Sequence, residues 1–376
     1  MSKAAELANL IGNINAGGGG ANRNYIINSG MRVAQRGTST TGLQNTGAIY
    51  TIDRFSYRRS GTWSNLESKH EQVDVTDSLP VSKGLHKALR VTCTTAEGSV
   101  PSGTEGTGIG YYIEKQDLHR FGVGTANMKT MTISFYVKAS IATTYGFSIQ
   151  GAAHSTQQQI DIPYTISSAN TYERISITIP TYNVAFDSTA DNNTGWRLFW
   201  GLDGVPSSRT ASAWGDSSDG LIMPNGVSTT GFSNTLNATF EITGVQLEVG
   251  QNPTEFEHKS FAEELALCQR YYTRYTGDGT NFGPSFQGTY NSTTIIVAVH
   301  RHTVPMRAGA TFGFSQLSDF DIEPFDAQPS AMSTFSHAST DHHAVQITDP
   351  SARTQGFAGV ICCDVNGGFY EFDAEL

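Results

Sequence analysis

Hydrophobic and polar residues alternate with period two along most of the chain. In MTISFYVKAS, Met131, Ile133, Phe135 and Val137 fall on one face and Thr132, Ser134, Tyr136 and Lys138 on the other. ERISITIP repeats the pattern with Ile175, Ile177 and Ile179, and WRLFWGL sets Trp196, Leu198 and Trp200 against Arg197 and Phe199. FEITGVQLEV begins with Phe240 and Ile242, then changes phase to Val245, Leu247 and Val249, which predicts a bulge near Gly244. Alternation of this kind marks antiparallel strands with one buried face. No segment of helical period and length interrupts the strands up to about Glu257, so βαβ units are excluded. The expected class is all-β, with a jelly-roll-like β-sandwich as its main body.

Two segments break the pattern. At the N-terminus Leu7, Leu10, Ile11 and Ile14 form one helical stripe behind Ser2, a residue suited to an N-cap. A helix this short, with Gly12 inside it, needs a partner to be stable in water. AGGGGAN follows as a joint of little stiffness. Later, SFAEELALCQRYY carries Ser260 and Glu263 in capping-box spacing, with Phe261, Leu265, Cys268 and Tyr272 on one face. Strand patterns then return in TTIIVAVHRH, GATFGFS, HAVQITD, GFAGVICCDV and GFYEFDA. The organisation expected is a docking helix over residues 1–15, a linker over 16–24, and the sandwich over 25–258. A linking helix over 259–275 and a smaller β domain over 276–376 complete it.

Composition narrows the functional classes. Only 15% of the 376 residues are charged, against about 25% in an ordinary soluble protein. The 39 glycines, with many Ser, Thr and Asn, suit strands and tight turns. A formal net charge of -10 argues against nucleic acid or an anionic membrane as partner, because both reward Lys and Arg. No apolar run of about 18 residues is present to cross a bilayer. Glu6 and Asn9 interrupt the segment where a secretory signal would be unbroken, so synthesis in a cytosol is expected. The cysteines agree: Cys93 alternates with core positions, Cys268 sits on a helix face, and Cys362 and Cys363 are adjacent. None has CxxC spacing, so neither a disulfide framework nor a zinc site is indicated, and no cofactor is expected.

NYIINSGMRVAQRGTS, followed by TIDRFSYRR, resembles the opening of a family of bacteriophage fibre and appendage proteins, and GVQLEVGQNPTEFEHKSFAEELALCQRYY resembles the close of the same module. The resemblance covers about Asn24 to Tyr272. It implies a β-sandwich similar to carbohydrate-binding modules, carried on virion fibres that are usually trimeric and contact the host surface. No binding residue is set in a motif that carries over. On this resemblance the N-terminal stripe Leu7, Leu10, Ile11 and Ile14 is expected to dock on other virion proteins, and the partners are copies of the chain itself, the particle and host-surface glycan.

The residues that could carry chemistry are few. AWGDSSDG contains the Gly215-Asp216-Ser217 of GDS esterases, but no downstream Asp-x-x-His follows, and Asp341, His342 and His343 in DHHAV are too closely packed. GTEGTGIG places glycines at 103, 106, 108 and 110 without the lysine of a phosphate-binding loop, and reads as a turn. Asp187, Asp191, Asp203, Asp216 and Asp219 cluster near Trp196, Trp200 and Trp214, and glycoside cleavage needs two carboxylates roughly 5–10 Å apart. Solvated turn aspartates are the plainer reading. Trp196 and Trp200 alternate as core residues, whereas Trp63 and Trp214 lie in polar surroundings and are the candidates for stacking on a sugar. His300 and His302 share one side of a strand, so three copies around a trimer axis would offer six imidazoles to a metal ion. Two exposed histidines at a strand end are the simpler alternative.

The function expected is a virion structural protein without catalytic activity: a fibre, most naturally a tail fibre, anchored by its N-terminus. Its alternatives are a head decoration fibre, a structural adaptor, and a polysaccharide depolymerase spike working through the aspartate loops.

Overall fold

The alternating segments become strands in a computed structural model that describes residue 3 and residues 23–376, except 45–46, 100, 104, 207, 217–226, 228, 280–282 and 364. The chain divides into two units, Met1–Glu264 and Leu265–Leu376. The N-terminal stripe Leu7, Leu10, Ile11 and Ile14 lies outside the described residues.

In the first unit the strands are β1 (Ser39–Leu43), β2 (Gly47–Tyr50), β3 (Phe55–Ser60), β4 (Glu67–Asp74), β5 (Lys87–Thr95), β6 (Gly106–Glu114) and β7 (Met131–Ala139). They continue with β8 (Thr144–Gly151), β9 (Gln158–Thr165), β10 (Glu173–Ile179), β11 (Thr194–Gly204), β12 (Gly215–Asp216) and β13 (Thr239–Val249). One sheet runs β1-β4-β5-β13-β7-β10 and the other β12-β9-β8-β11-β6-β3-β2, all pairs antiparallel. The alternating apolar residues of both sheets meet in one core. Phe135 packs edge-on to Trp200 at 5.9 Å and to Tyr164 at 5.4 Å, and Phe240 lies 5.4 Å from Tyr145. Aromatic side chains thus span the two layers of the sandwich expected from the alternation.

The phase change in FEITGVQLEV is a bulge. Pairing of β13 with β7 slips between Thr243 and Gln246, and Gly244 takes φ +59°. A Cβ at Gly244 would stand 2.5 Å from Leu85 Cδ1, so both backbone and packing call for glycine.

The polar face of β7 is not solvated. Thr132, Ser134 and Tyr136 are buried, Tyr136 in a small second core with Val75, Leu85 and Tyr172 over the six-stranded sheet, and Thr132 with its hydroxyl donated to the Gly250 carbonyl. The two ends of the family-like module close this layer. Asn24 donates Nδ2 to the Val245 carbonyl at 3.0 Å and accepts from the Leu247 amide, while its own amide donates to Glu257. Fully buried Glu248 accepts from Gln246 Nε2 and from the amide and hydroxyl of Thr254. Buried Glu264 accepts the Asn28 amide, and burial raises its carboxyl above the ordinary range. The residues that carry the resemblance therefore build a clasp between the chain's opening segment and the end of the sandwich.

Among the described residues three short α-helices interrupt the strands: α1 (Ser78–Val81), α2 (Lys115–His119) and α3 (Phe261–Gln269). Ser260 Oγ accepts the Glu263 amide at 3.2 Å, as the capping spacing predicts. The helix is shorter than the 259–275 expected, since Tyr272–Thr276 is a strand. A Tyr-Tyr-Thr run favours extended backbone once a strand partner exists, and Tyr272 pairs with Asp373.

The second unit contains β14 (Tyr272–Thr276), β15 (Ser285–Tyr290), β16 (Ile295–Arg301), β17 (Thr311–Phe314), β18 (Phe320–Glu323), β19 (Ala331–Ala338), β20 (His342–Thr348), β21 (Ala358–Cys363) and β22 (Phe369–Asp373). Its sheets run β18-β21-β15-β16-β20-β19 and β14-β22-β17 around a separate core. All four cysteines of the chain are buried.

Candidate functional site

The outer face of the seven-stranded sheet has an unusual floor. Register aligns Gly108 of β6 with Gly201 of β11, and Gly201 with Gly146 of β8. Three neighbouring central strands therefore carry no side chain in one row, a gap of two strand spacings, or about 10 Å. Pro163 of β9 stands beyond Gly146, and Arg58 of β3 beyond Gly108. The next row along the strands holds Ser56, Gly110, Phe199, Ser148 and Asp161. The row after it brings Tyr112 beside Arg197 and Gln150.

Here GTEGTGIG is not a turn throughout. Gly103 is a turn glycine at φ +63°, but Gly106, Gly108 and Gly110 lie inside β6 and are buried. Gly108 and Gly110 are required by close approach: a Cβ at Gly108 would come 2.6 Å from the Trp200 carbonyl oxygen. At Gly110 it would come 2.8 Å from Arg58 Cγ and 3.0 Å from Ser56 Oγ. Without a side chain at Gly110, Arg58 lies along β6, and its guanidinium carbon reaches 5.6 Å from the Tyr112 ring centre. Phe199 supports that ring edge-on at 6.4 Å.

Charge on this face is sorted into a satisfied half and an unsatisfied half. Asp161 is 1% exposed and accepts from Ser148 Oγ, Gln159 Nε2 and Arg209 Nε at 2.7, 2.7 and 2.8 Å. Arg209 also donates to the Asp216 carbonyl, tying the loop before β12 to the sheet edge. Among the described residues Arg197 donates only to the neutral Gln150 Oε1, at 2.8 Å. Burial, with Arg58 close by, holds its guanidinium below the ordinary range. Among the described residues Arg58 makes no hydrogen bond or ion pair, and its Nε is buried without a partner.

The residues singled out from sequence fall elsewhere. Trp63 is 7% exposed, donates Nε1 to the Ser60 carbonyl, and forms one wall of a polar notch of about 360 Å3 with Gln44, Arg59, Asn65, Glu67 and Thr95. Trp214 packs on the core, 4.2 Å from the Tyr182 ring, and donates Nε1 to the Pro180 carbonyl. Both rings are held by the fold and neither stands out as a free platform. His300 and His302 do share a side, with ring centres 5.6 Å apart, and both press on Phe372. They are half-buried, not exposed, and no group of three metal-ligating side chains forms among the described residues.

Among the described residues the aspartates do not assemble an acid–base pair. Asp203 is buried and accepts the Gly204, Thr230 and Ser233 amides and the Ser233 hydroxyl. Asp187 and Asp191 approach Lys115 Nζ at 3.8 and 3.4 Å. Both are held below the usual carboxylate range, Asp187 by the Thr189 hydroxyl and Asp191 by His119 and Lys115. A general acid for glycoside cleavage needs the opposite shift. Asp216 is exposed, with its carbonyl engaged by Arg209, and Ser217 and Asp219 lie outside the described residues.

Sequence reading missed the glycine floor and the arginine pair. The signal was present as glycines at period two in GTGIGYY, with single glycines in TYGFSI and FWGLD. Only strand register shows that they align.

No protein-family model and no curated protein matches the chain. Among solved structures the chain is similar to the enzymatically active domain of tailspike protein 4 of bacteriophage CBA120, at 12% identity and TM-score 0.31, over 60% of this chain and 21% of that one. It is also similar to the family 11 carbohydrate-binding module of a cellulosomal cellulase of Clostridium thermocellum, at 13% identity and TM-score 0.27, over 58% of this chain and 100% of the module. A third is the N-terminal cellulose-binding domain of Cellulomonas fimi β-1,4-glucanase C, at 14% identity and TM-score 0.25, over 44% and 80%. The chain thus spans about a fifth of the tailspike's length. At these scores no residue role is carried over.

Proposed function

We propose that the chain is a non-catalytic, fibre-like virion appendage, most naturally of the tail, that displays its β-modules to bind host-surface glycan. The binding face is the outer surface of the seven-stranded sheet. The observation that carries this reading is the glycine row Gly108, Gly201 and Gly146, a side-chain-free trough bordered by hydrogen-bonding groups on Arg58, Arg197, Ser148 and Gln150. A sugar ring needs a polar fringe for its hydroxyls and backbone it can approach closely. The virion setting is supported by the resemblance of the module's two ends to phage fibre proteins.

The test is a glycan array probed with the full chain and with Gly201→Trp, which fills the trough. Glycan binding that the substitution abolishes is the expected result, and an empty array would end the reading. In solution the appendage is expected as a homotrimer, three times the 40.5 kDa chain mass by sedimentation equilibrium. Cryo-electron microscopy of the particle tests the setting: a C-terminal unit enclosed by other subunits would make the protein a structural adaptor instead.

A further inference from the structure

We infer that the trough takes an anionic saccharide, with Arg58 and Arg197 as paired receptors for a carboxylate on the sugar. The inference rests on the glycan-binding reading and names the ligand class for the same face.

Three observations carry it. The chain has 34 acidic against 24 basic residues. Arg90 meets Glu241 at 2.7 Å and Arg209 meets Asp161 at 2.7 Å, while Arg59 and Arg174 donate to backbone carbonyls. Among the described residues Arg58 and Arg197 meet no carboxylate. They flank Tyr112, they repel one another, and the one carboxylate in the neighbouring row, Asp161, is consumed by Arg209, Ser148 and Gln159.

Half-buried cations without a counter-charge are costly, and the cost is removed if a ligand supplies the anion. A guanidinium presents a planar fork that matches a carboxylate in bidentate geometry. Tyr112 and Phe199 give Arg58 a fixed bed, so little side-chain freedom is lost on binding.

The experiment is isothermal titration calorimetry of the full chain with oligosaccharides of galacturonic, glucuronic and mannuronic acid and with their carboxyl-reduced, neutral counterparts. Binding of at least one acidic oligosaccharide is expected, at least tenfold tighter than its reduced form and weakened as salt rises from 50 to 300 mM. Arg58→Gln and Arg197→Gln are each expected to cost at least tenfold, with Arg58→Lys recovering part of the loss. Melting temperatures within a few degrees of the parent show that the variants fold, and the reduced-sugar and salt comparisons need no variant. Equal affinity for acidic and reduced sugars would overturn the inference, as would inorganic phosphate competing as strongly as the sugar. If neutral glycans bind and acidic ones do not, the inference fails while glycan binding stands. If neither class binds, both fail.

Discussion

Asp161 shows how a polar residue on the outer face of a sheet is spent on structure. Its carboxylate holds Arg209, Ser148 and Gln159 at once and is almost without solvent. Asp161→Ala strands a buried guanidinium, and a loss of about 3–5 kcal/mol is expected by urea denaturation. His70 is the complementary case within the core. It is fully buried on β4, neither ring nitrogen has a partner, and burial lowers its pKa to about 3. In the unfolded chain the same imidazole titrates near its ordinary value of about 6.5. As pH falls below that value the unfolded state takes the proton first, so stability is lost progressively from about pH 6.5 toward 3. His70→Leu is expected to flatten that slope by up to about 1.4 kcal/mol per pH unit; an unchanged slope in pH-dependent urea melts would refute the assignment. Such residues were opaque in the sequence. Trp63 and Trp214 sat in polar surroundings and read as candidates for stacking on a sugar, yet each indole nitrogen finds a backbone carbonyl and each ring is drawn into packing. Local polarity does not report where a large ring finds its contacts.

At the scale of single elements the reading was most reliable where one strand or turn contains its own evidence. The phase change at Gly244 predicted the bulge, and the register slip between Thr243 and Gln246 is that bulge. Gly244→Ala forces a left-handed backbone position and a clash with Leu85, and a loss of about 1–3 kcal/mol is expected by thermal melting. Ser260 was legible as the cap of α3 for the same reason, since capping is a contact over three residues. Ser260→Ala should cost about 1 kcal/mol. The reading failed where an element depends on a distant partner. GTEGTGIG lacks apolar bulk and reads as a turn, but β6 is a central strand because β3 and β11 flank it. The end of α3 was overextended because the pull of Asp373 on Tyr272 comes from the far end of the chain.

Across the whole molecule the two units carry separate cores and separate acid sensitivity. In the second unit His300, His302 and His343 surround Phe372. Burial, then the neighbouring histidines, lowers His300 and His343 to about 4, and His302 is lowered as well. The sign is that of His70: stability is whole above about pH 6.5 and declines as pH falls toward 4. Calorimetry should therefore show the second unit's transition moving to lower temperature from pH 7 to pH 4, less so in His343→Gln. A pH-independent transition would show that the cluster titrates in the folded unit as it does in the unfolded chain. The all-β class, the sandwich, the bulge and the capped helix could be read from the chain alone, because period-two alternation states which face of a strand is buried. The trough, the arginine pair and the burial of the second face of β7 could not. They depend on which strands become neighbours and in what register. That is settled by closing loops between segments far apart in sequence, where a shift of two residues would leave every hydrophobic pattern intact and still separate Gly108, Gly201 and Gly146.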